Sequence, residues 1–445
     1  VGHVTFTQCA AAKLASLFPA LAAPSARMIM KTVFSLLAVL WITGCGVSAP
    51  PQAGDVVTDH PDDGGPAPGE PHDEGDPAPS GDLDLPPVAS LTDGVWLAGD
   101  LHIHSEHSAD SSNNPVRKIV DLASTVGLDY LGITDHDNHV DGAVAANTWI
   151  DADFQASPLI MLYGAEWTTH RGHGNTFSAT AYDHQRFYDL RDDLDTRIGA
   201  LADEFGIHFS ANHPSGGDNF GFSFDIVDSI EVWNSAIWSM NTGAMAIWDD
   251  MLKSGRNPTG RGGSDSHHGY PEAGDTPEFN TIQAGANNVG TPTTWVFATE
   301  PSAQAVVDAL TNGRVAISSN PNAPRVEFHA DLDGDGEMDM MMGDNVVPSG
   351  APANFRVTLV GGPLALLPYT VTVIKDGFEL TSLTIGPGAT SAEFVDTPAF
   401  GVRSYYRVEV TGQQALFPEV PAAAALSGNM IGLSNPIYFN FDPAY

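Results

Sequence analysis

Short apolar runs alternate with helix-period stretches through the middle of this chain. Residues 95–102, 128–134, 159–165, 207–211 and 229–233 are apolar over strand length and predict β-strands. Residues 115–126, 187–205, 242–253 and 302–312 carry apolar positions at three- and four-residue spacing and predict helices. Strand–helix alternation over about 95–319 predicts an α/β fold with a parallel sheet, open or closed into a barrel. From about residue 323 the period changes to two. Residues 355–360, 369–374, 378–385, 404–411 and 436–441 alternate apolar and polar positions between turn residues, which predicts a small C-terminal β-sandwich.

The N-terminal part follows neither pattern. Residues 46–87 are rich in Pro, Gly and Asp and contain no Lys or Arg. Such a segment buries no core and is expected to be a disordered, self-repelling tether. Before it, Lys31, the apolar run 34–42 and Ile42-Thr43-Gly44-Cys45 form an export signal. Met28 and Met30 stand where a signal of this kind starts. The apolar run is too short to span a bilayer as a permanent helix. Its end resembles the lipobox of bacterial lipoproteins, which implies a membrane anchor through acylated Cys45; a plain secretory signal is the alternative. Gly46 follows instead of Asp, which by the same resemblance implies periplasmic or cell-surface placement on the outer membrane. The expected organisation is 1–45 export segment, 46–90 tether, 91–320 α/β domain and 321–445 β-rich domain.

Charge narrows the partners. The 445 residues hold 55 acids and 18 bases, for a net charge of −37. That surface repels nucleic acid. It does not exclude an anionic small molecule, because bound divalent cations invert the local potential. The two cysteines, Cys9 and Cys45, lie far from the chemistry-bearing motifs, so any metal would be held by imidazole and carboxylate.

That chemistry begins at Asp100-Leu101-His102-Ile103-His104. On an extended segment His-x-His puts both imidazoles on one side, and converging imidazoles suit a transition metal. Asp110, Thr134-Asp135-His136, Glu166, His173, His213, Asp265 and His267 follow in short Gly-, Ser- or Pro-marked segments. A structural zinc site would use four closed ligands, often Cys. Nine ligand-type residues in six loops exceed one ion.

These motifs, with Gly-Ala-Glu at 164–166, Gly-His-Gly-Asn at 172–175, Asn-His-Pro at 212–214 and Ser-Asp-Ser-His at 264–267, resemble in type and order the PHP (polymerase and histidinol phosphatase) metallohydrolases. The chain looks most like the CehA/McbA branch, and Leu-Ser-Asn-Pro-Ile-Tyr at 433–438 is similar to the end of such proteins. The resemblance implies a distorted (β/α)7 barrel with two or three divalent ions (Zn, Mn or Fe). It implies one ion on His102, His104, Glu166 and Asp265. Glu166 would bridge to a second ion on His173 and His213. Asp110, His136 and His267 would hold a third. Asp110 replaces the His of several family members, which turns that third site toward harder ions. The implied activity is hydrolysis by a metal-bridged hydroxide, with a phosphomonoester or phosphodiester as the expected substrate. The rivals are a carbamate, ester or amide hydrolase on the same metals and a surface metal- or ligand-binding lipoprotein with little turnover.

Further candidates surround this set. Asp135 is expected to orient a ligand or accept a proton. Arg171 is a candidate clamp for phosphate or carboxylate; a surface ion pair is the alternative, and Arg261 is the other base near the motifs. His107, His139, His170 and His268 are candidates for general acid, with His268 assigned that role and a supporting loop role as the alternative for each. Trp167, Trp233 and Trp238 would line a pocket or the core. Glu231 and Asn234 close a predicted strand and could face the pocket. Separately, Asp331, Asp333, Asp335 and Asp339 alternate around glycines like a calcium loop. Met342 stands where an EF-hand has its last Glu, with Asp344 as a substitute ligand; a solvated acidic turn is the alternative.

Overall fold

The computed structural model describes residues 83, 85–215, 220–267, 288–363, 366, 368–415 and 429–443, all within one compact unit, Asp73–Tyr445. The export segment, most of the tether and His268 lie outside the described residues. Among the described residues no helix is long and apolar enough to cross a membrane.

The strands that carry the ligands lie side by side. They are β1 (Val95–Ile103), β2 (Tyr130–Ile133), β3 (Ile160–Thr169), β4 (Gly172–Ser178), β5 (His208–Ala211), β6 (Ser229–Asn234) and β7 (Thr259–Gly263). They run in that order in one large sheet, which continues from β1 through β8 (Thr293–Ala298) and β9 (Val315–Ser318). The expected all-parallel sheet is corrected to a mixed one. β1–β2–β3 and β5–β6–β7 are parallel, but β4 is antiparallel to both neighbours. The reason is local: only His170 and Arg171 separate β3 from β4, and Gly172 takes φ 115° at the turn. A connection that short forces a hairpin. β7 does not pair with β1 along its length; a parallel bridge between Ile103 and Ser266 joins the two sides.

Helices cover the sheet where the pattern placed them, with one correction. α1 (Val116–Val126) starts after Pro115, whose missing N–H costs nothing there, and stops at left-handed Gly127. Its Val116, Ile119, Val120 and Ala123 are buried at helical spacing. α2 (Ala152–Gln155) is a single turn capped by Asp151. The single helix expected over 187–205 is two, α3 (His184–Asp189) and α4 (Asp195–Phe205). Asp193 accepts from the Leu194 N–H and pairs with Arg197, so it serves the next helix start instead of continuing the last. α5 (Thr242–Ser254) and α6 (Ala303–Thr311) follow, the latter capped by the Ser302 hydroxyl.

The C-terminal strands are continuous with this sheet. β10 (Arg325–Asp331), β11 (Met340–Met341), β13 (Ala353–Val360) and β16 (Ser391–Asp396) make a second, four-stranded sheet. β12 (Asn345–Val346), β14 (Tyr369–Lys375), β15 (Phe378–Ile385), β17 (Ser404–Thr411), β18 (Met430–Ser434) and β19 (Ile437–Phe439) extend the large one, with β18 hydrogen-bonded to β9. Phe328, Phe355 and Phe394 of the second sheet share a core cluster with Val371, Tyr406 and Val408 of the large one. Residues 85–90, assigned by composition to the tether, include Ala89 and Ser90, whose carbonyls accept from Arg314.

One buried histidine predicts acid lability. His208 bonds the Thr311 and Ser229 hydroxyls, and burial, helped by Arg261, pushes its pKa down to about 4. Unfolded, it titrates near 6.5. Between those values the unfolded chain binds more protons, so this contribution to stability is lost as pH falls from about 6.5 to 4. Between pH 7 and 5 the loss is about 2 kcal/mol. Urea unfolding of His208→Asn is expected to change less over that interval than wild type. Equal changes would count against the assignment.

Candidate metal centre

The nine ligand-type residues come together where strands end. His102 lies in β1 and His104 just past it, with ring centroids 5.2 Å apart on one side of the strand. His136 follows β2, Glu166 lies near the end of β3, His173 sits in β4 and His213 follows β5. Asp265 and His267 follow β7. His213 and Asp265 adopt φ of 25° and 52°, left-handed conformations uncommon for side chains other than glycine. Their backbones are bent to present these side chains.

Glu166 is the hub. Its Oε1 lies 3.3 Å from His102 Nε2, 3.2 Å from His173 Nδ1 and 3.2 Å from His213 Nε2. Its Oε2 lies 2.9 Å from His136 Nδ1 and 3.4 Å from His104 Nε2. One carboxylate therefore faces five imidazoles. Asp265 Oδ1 stands 3.1 Å from His104 Nε2 and 3.4 Å from His102 Nε2. Asp110 Oδ2 stands 3.4 Å from His136 Nε2 and 3.5 Å from His267 Nε2, at the more exposed edge.

Four sets of three ligand atoms lie within 4.8 Å of one another: His102/His104/Asp265, His102/Glu166/His213, His136/Glu166/His173 and His104/His136/His267. His213 and His173 thus each share Glu166 with a different histidine. The donor set fits divalent ions by an independent sign. His102 Nε2, His104 Nδ1 and Glu166 Oε2 are buried without a hydrogen-bond partner, and such atoms are costly unless something satisfies them.

The electrostatics agree. Burial works against charge on Glu166, yet His136 and His102 hold its carboxyl well below the usual range. Burial likewise opposes the proton on His136, but Glu166 and Asp110 outweigh it and raise the pKa to about 10. His104 is the exception: burial, then the neighbouring His267 and His136, push it down to about 3. Carboxylates in this cluster demand compensating positive charge.

A layer of hydrogen bonds lies beneath. Glu231 Oε1 accepts from His102 Nδ1 at 2.8 Å and from Arg261 Nη1 at 3.0 Å. Its Oε2 accepts from the His213 N–H and Asn234 Nδ2. Burial opposes its charge, but His102 and Arg261 bring its pKa down to about 2. Asn212 Nδ2 donates to Glu166 Oε1 at 2.8 Å. Asn212 stands inside a sequence motif, yet nothing in its spacing announced this role.

Several candidates have other partners. Asp135 accepts from the Ser105 N–H and hydroxyl and from Thr148, so it anchors the segment after β1. Arg171 pairs with Asp195 at 2.8 Å, donates to the Gly221 carbonyl and stacks on Phe222. Arg261 is fully buried below the ligands. His107 pairs with Asp151 and His170 with Asp192. His139 packs beside His136 at 4.9 Å, and its Nδ1 accepts from the Ala109 N–H. Trp167 and Trp233 are core residues, the latter against Trp238.

In the acidic loop, Asp331, Asp333 and Asp339 offer oxygens within 4.8 Å of one another. Their carboxylates already accept N–H groups of Gly334, Gly336, Asp335 and Leu332. Asp335 accepts from the Glu337 N–H. Asp344 is not among these ligands; it pairs with Arg314 at 2.7 Å.

A PHP domain matches residues 100–199, a span that holds His102, His104, Asp110, His136, Glu166 and His173. The match supports the PHP superfamily, whose members are generally metal-dependent hydrolases. No curated protein matches the chain. A solved engineered protein is 14% identical over 70% of this chain and 49% of its own, with a TM-score of 0.19. This chain thus spans about half the length of that protein.

Proposed function

We propose that the protein is a multinuclear metal-dependent hydrolase of the PHP type that acts on a phosphomonoester or phosphodiester. The observation that carries this is Glu166 facing five imidazoles while His102 Nε2, His104 Nδ1 and Glu166 Oε2 are buried without a hydrogen bond. Barrel closure, a C-terminal sandwich that shares the large sheet, and the CehA/McbA branch belong to the same reading. The Ile103–Ser266 bridge and the two facing C-terminal sheets support its structural part.

Two or three divalent ions, zinc, manganese or iron, would be held by His102, His104, Asp110, His136, Glu166, His173, His213, Asp265 and His267. Such ions supply a water of lowered pKa and positive charge for the substrate's oxygens. The protein's own groups do the rest. Glu231 accepts a hydrogen bond from His102 Nδ1–H, which turns Nε2 of the neutral imidazole toward the centre. Asn212 holds Glu166 Oε1. His139, with Nδ1 accepting from the Ala109 N–H, packs beside His136 at the edge of the centre.

A second reading has a specific observation behind it. Neither Arg171 nor Arg261 faces the cluster, so a less charged electrophile, a carbamate, ester or amide, suits the same centre. Metal-reconstituted protein assayed on aryl phosphates, phosphodiesters, carbamates and carboxyl esters separates the two. Chelator-sensitive phosphoester turnover is expected. Turnover confined to carbamates or carboxyl esters would favour the second reading, and none at all would leave a binding protein.

We place the enzyme on the outer membrane through acylated Cys45, on the strength of Ile42-Thr43-Gly44-Cys45 and the acidic segment after it. Mass spectrometry of the mature N-terminus should find acylated Cys45. An unmodified terminus elsewhere would remove the anchor and leave the hydrolase reading intact.

A further inference from the structure

We infer that Arg261 is a positioning residue that fixes the direction of two hydrogen-bond chains, one ending on His102 and the other on Glu166; this rests on the metal-centre reading above. Arg261 lies in β7, fully buried, and its guanidinium branches. Nη1 donates to Glu231 Oε1 at 3.0 Å, Nη2 donates to Asn212 Oδ1, and Nε donates to the Ser210 hydroxyl at 2.6 Å.

A guanidinium can only donate. That constraint passes along each branch. On the first, Glu231 is held as a carboxylate acceptor between Arg261 and His102, so His102 Nδ1 is the donor and, in the neutral imidazole that binds a metal, Nε2 carries the lone pair. On the second, Arg261 claims Asn212 Oδ1, which turns the Asn212 amide NH2 onto Glu166 Oε1 and Asn175 Oδ1. The reverse amide orientation would put two donors face to face at Arg261. Asn175 is locked in turn, because its Nδ2 donates to the Leu101 carbonyl beside His102. His102 Nε2 and Glu166 Oε2, buried with no hydrogen bond, are the atoms that these two chains leave over, and both face other ligand groups of the centre.

Glu231 and Asn212 are 30 and 49 residues from Arg261 in sequence. One side chain therefore orients ligands contributed by two strands, β1 and β3. No geometry places Arg261 on substrate, so its effect is through the ligands.

Full-length protein freed of metal and titrated with Co²⁺, followed by visible absorption, tests this. Arg261→Met removes every donor at similar volume and should weaken Co²⁺ binding about 10- to 100-fold with an altered d–d spectrum. Asn212→Asp keeps a partner for Arg261 but cannot donate to Glu166, and should weaken binding comparably. Arg261→Lys should fall between Arg261→Met and wild type, while Arg186→Met, which removes an exposed arginine, should match wild type. A folded Arg261→Met with wild-type affinity and spectrum overturns the inference. If Arg261→Met does not fold, wild-type Co²⁺ affinity and spectrum in Asn212→Asp overturn it. A wild type that binds no Co²⁺ overturns the metal-centre reading and this inference together.

Discussion

Glu166→Gln is expected to lower metal content and turnover together, turnover by at least about a hundredfold, the upper cost of losing a mere supporting group around a metal. The carboxylate faces His102, His173 and His213 through one oxygen and His104 and His136 through the other. The amide keeps the shape but removes the negative charge and turns one oxygen into a donor without lone pairs. One of the two groups of imidazoles then loses its shared acceptor. Elemental analysis and an activity assay on the same preparation should fall in parallel. Asp76→Asn, in the segment 46–87, should change neither. Normal metal content and turnover in Glu166→Gln would remove Glu166 from the bridging role.

The second large effect concerns stability. A chain cut after residue 320, the boundary expected from the change in hydrophobic period, should not fold on its own. Tyr405, Met430, Leu433, Tyr438 and Phe441 lie in the same buried cluster as Ile230, Trp248 and Ile317. β9 would lose its partner β18 and expose an edge beside the core. Asn435 bonds both the N–H and the carbonyl of Gly260, in the strand that leads to Asp265. Arg407, buried, holds Asp249 of α5 through two nitrogens at 3.0 and 2.8 Å. Arg407→Ala in the full chain is the graded version and should cost about 3 kcal/mol, because it leaves the largely buried Asp249 carboxylate without its counter-charge and with the Tyr405 hydroxyl as donor. Urea unfolding reads the point variant, and near-UV circular dichroism reads the truncation. A cooperatively folding 85–320 fragment would show that the C-terminal strands are an appendage.

The period of hydrophobic residues made β1, β2, β3, β5 and β6 legible, because each is an apolar run. It could not show β4 or β7. Gly172-His173-Gly174-Asn175 and Thr259-Gly260-Arg261-Gly262-Gly263 have almost no apolar side chains, since these strands lie against the site. A side chain at Gly174 would meet the Phe209 ring at 2.7 Å, and one at Gly263 would meet Glu231 Oε1 at 2.7 Å. The packing that makes them strands is the packing that hides them. The ligand types were legible because His and carboxylate in ordered motifs have few other uses together. Their grouping was not, because His213 meets His102 only through the fold. Arg261 shows the limit most clearly. In sequence it is only a base near the motifs; in the structure it is buried on the side of the ligands away from solvent.

The most direct measurement is the metal content of full-length protein from metal-replete expression, determined by elemental analysis after removal of loosely held ions. A multinuclear centre predicts more than one transition-metal equivalent per chain, with turnover lost to chelators and regained on adding the metal back. Fewer than one ion per chain, with all nine ligand residues intact, would contradict it.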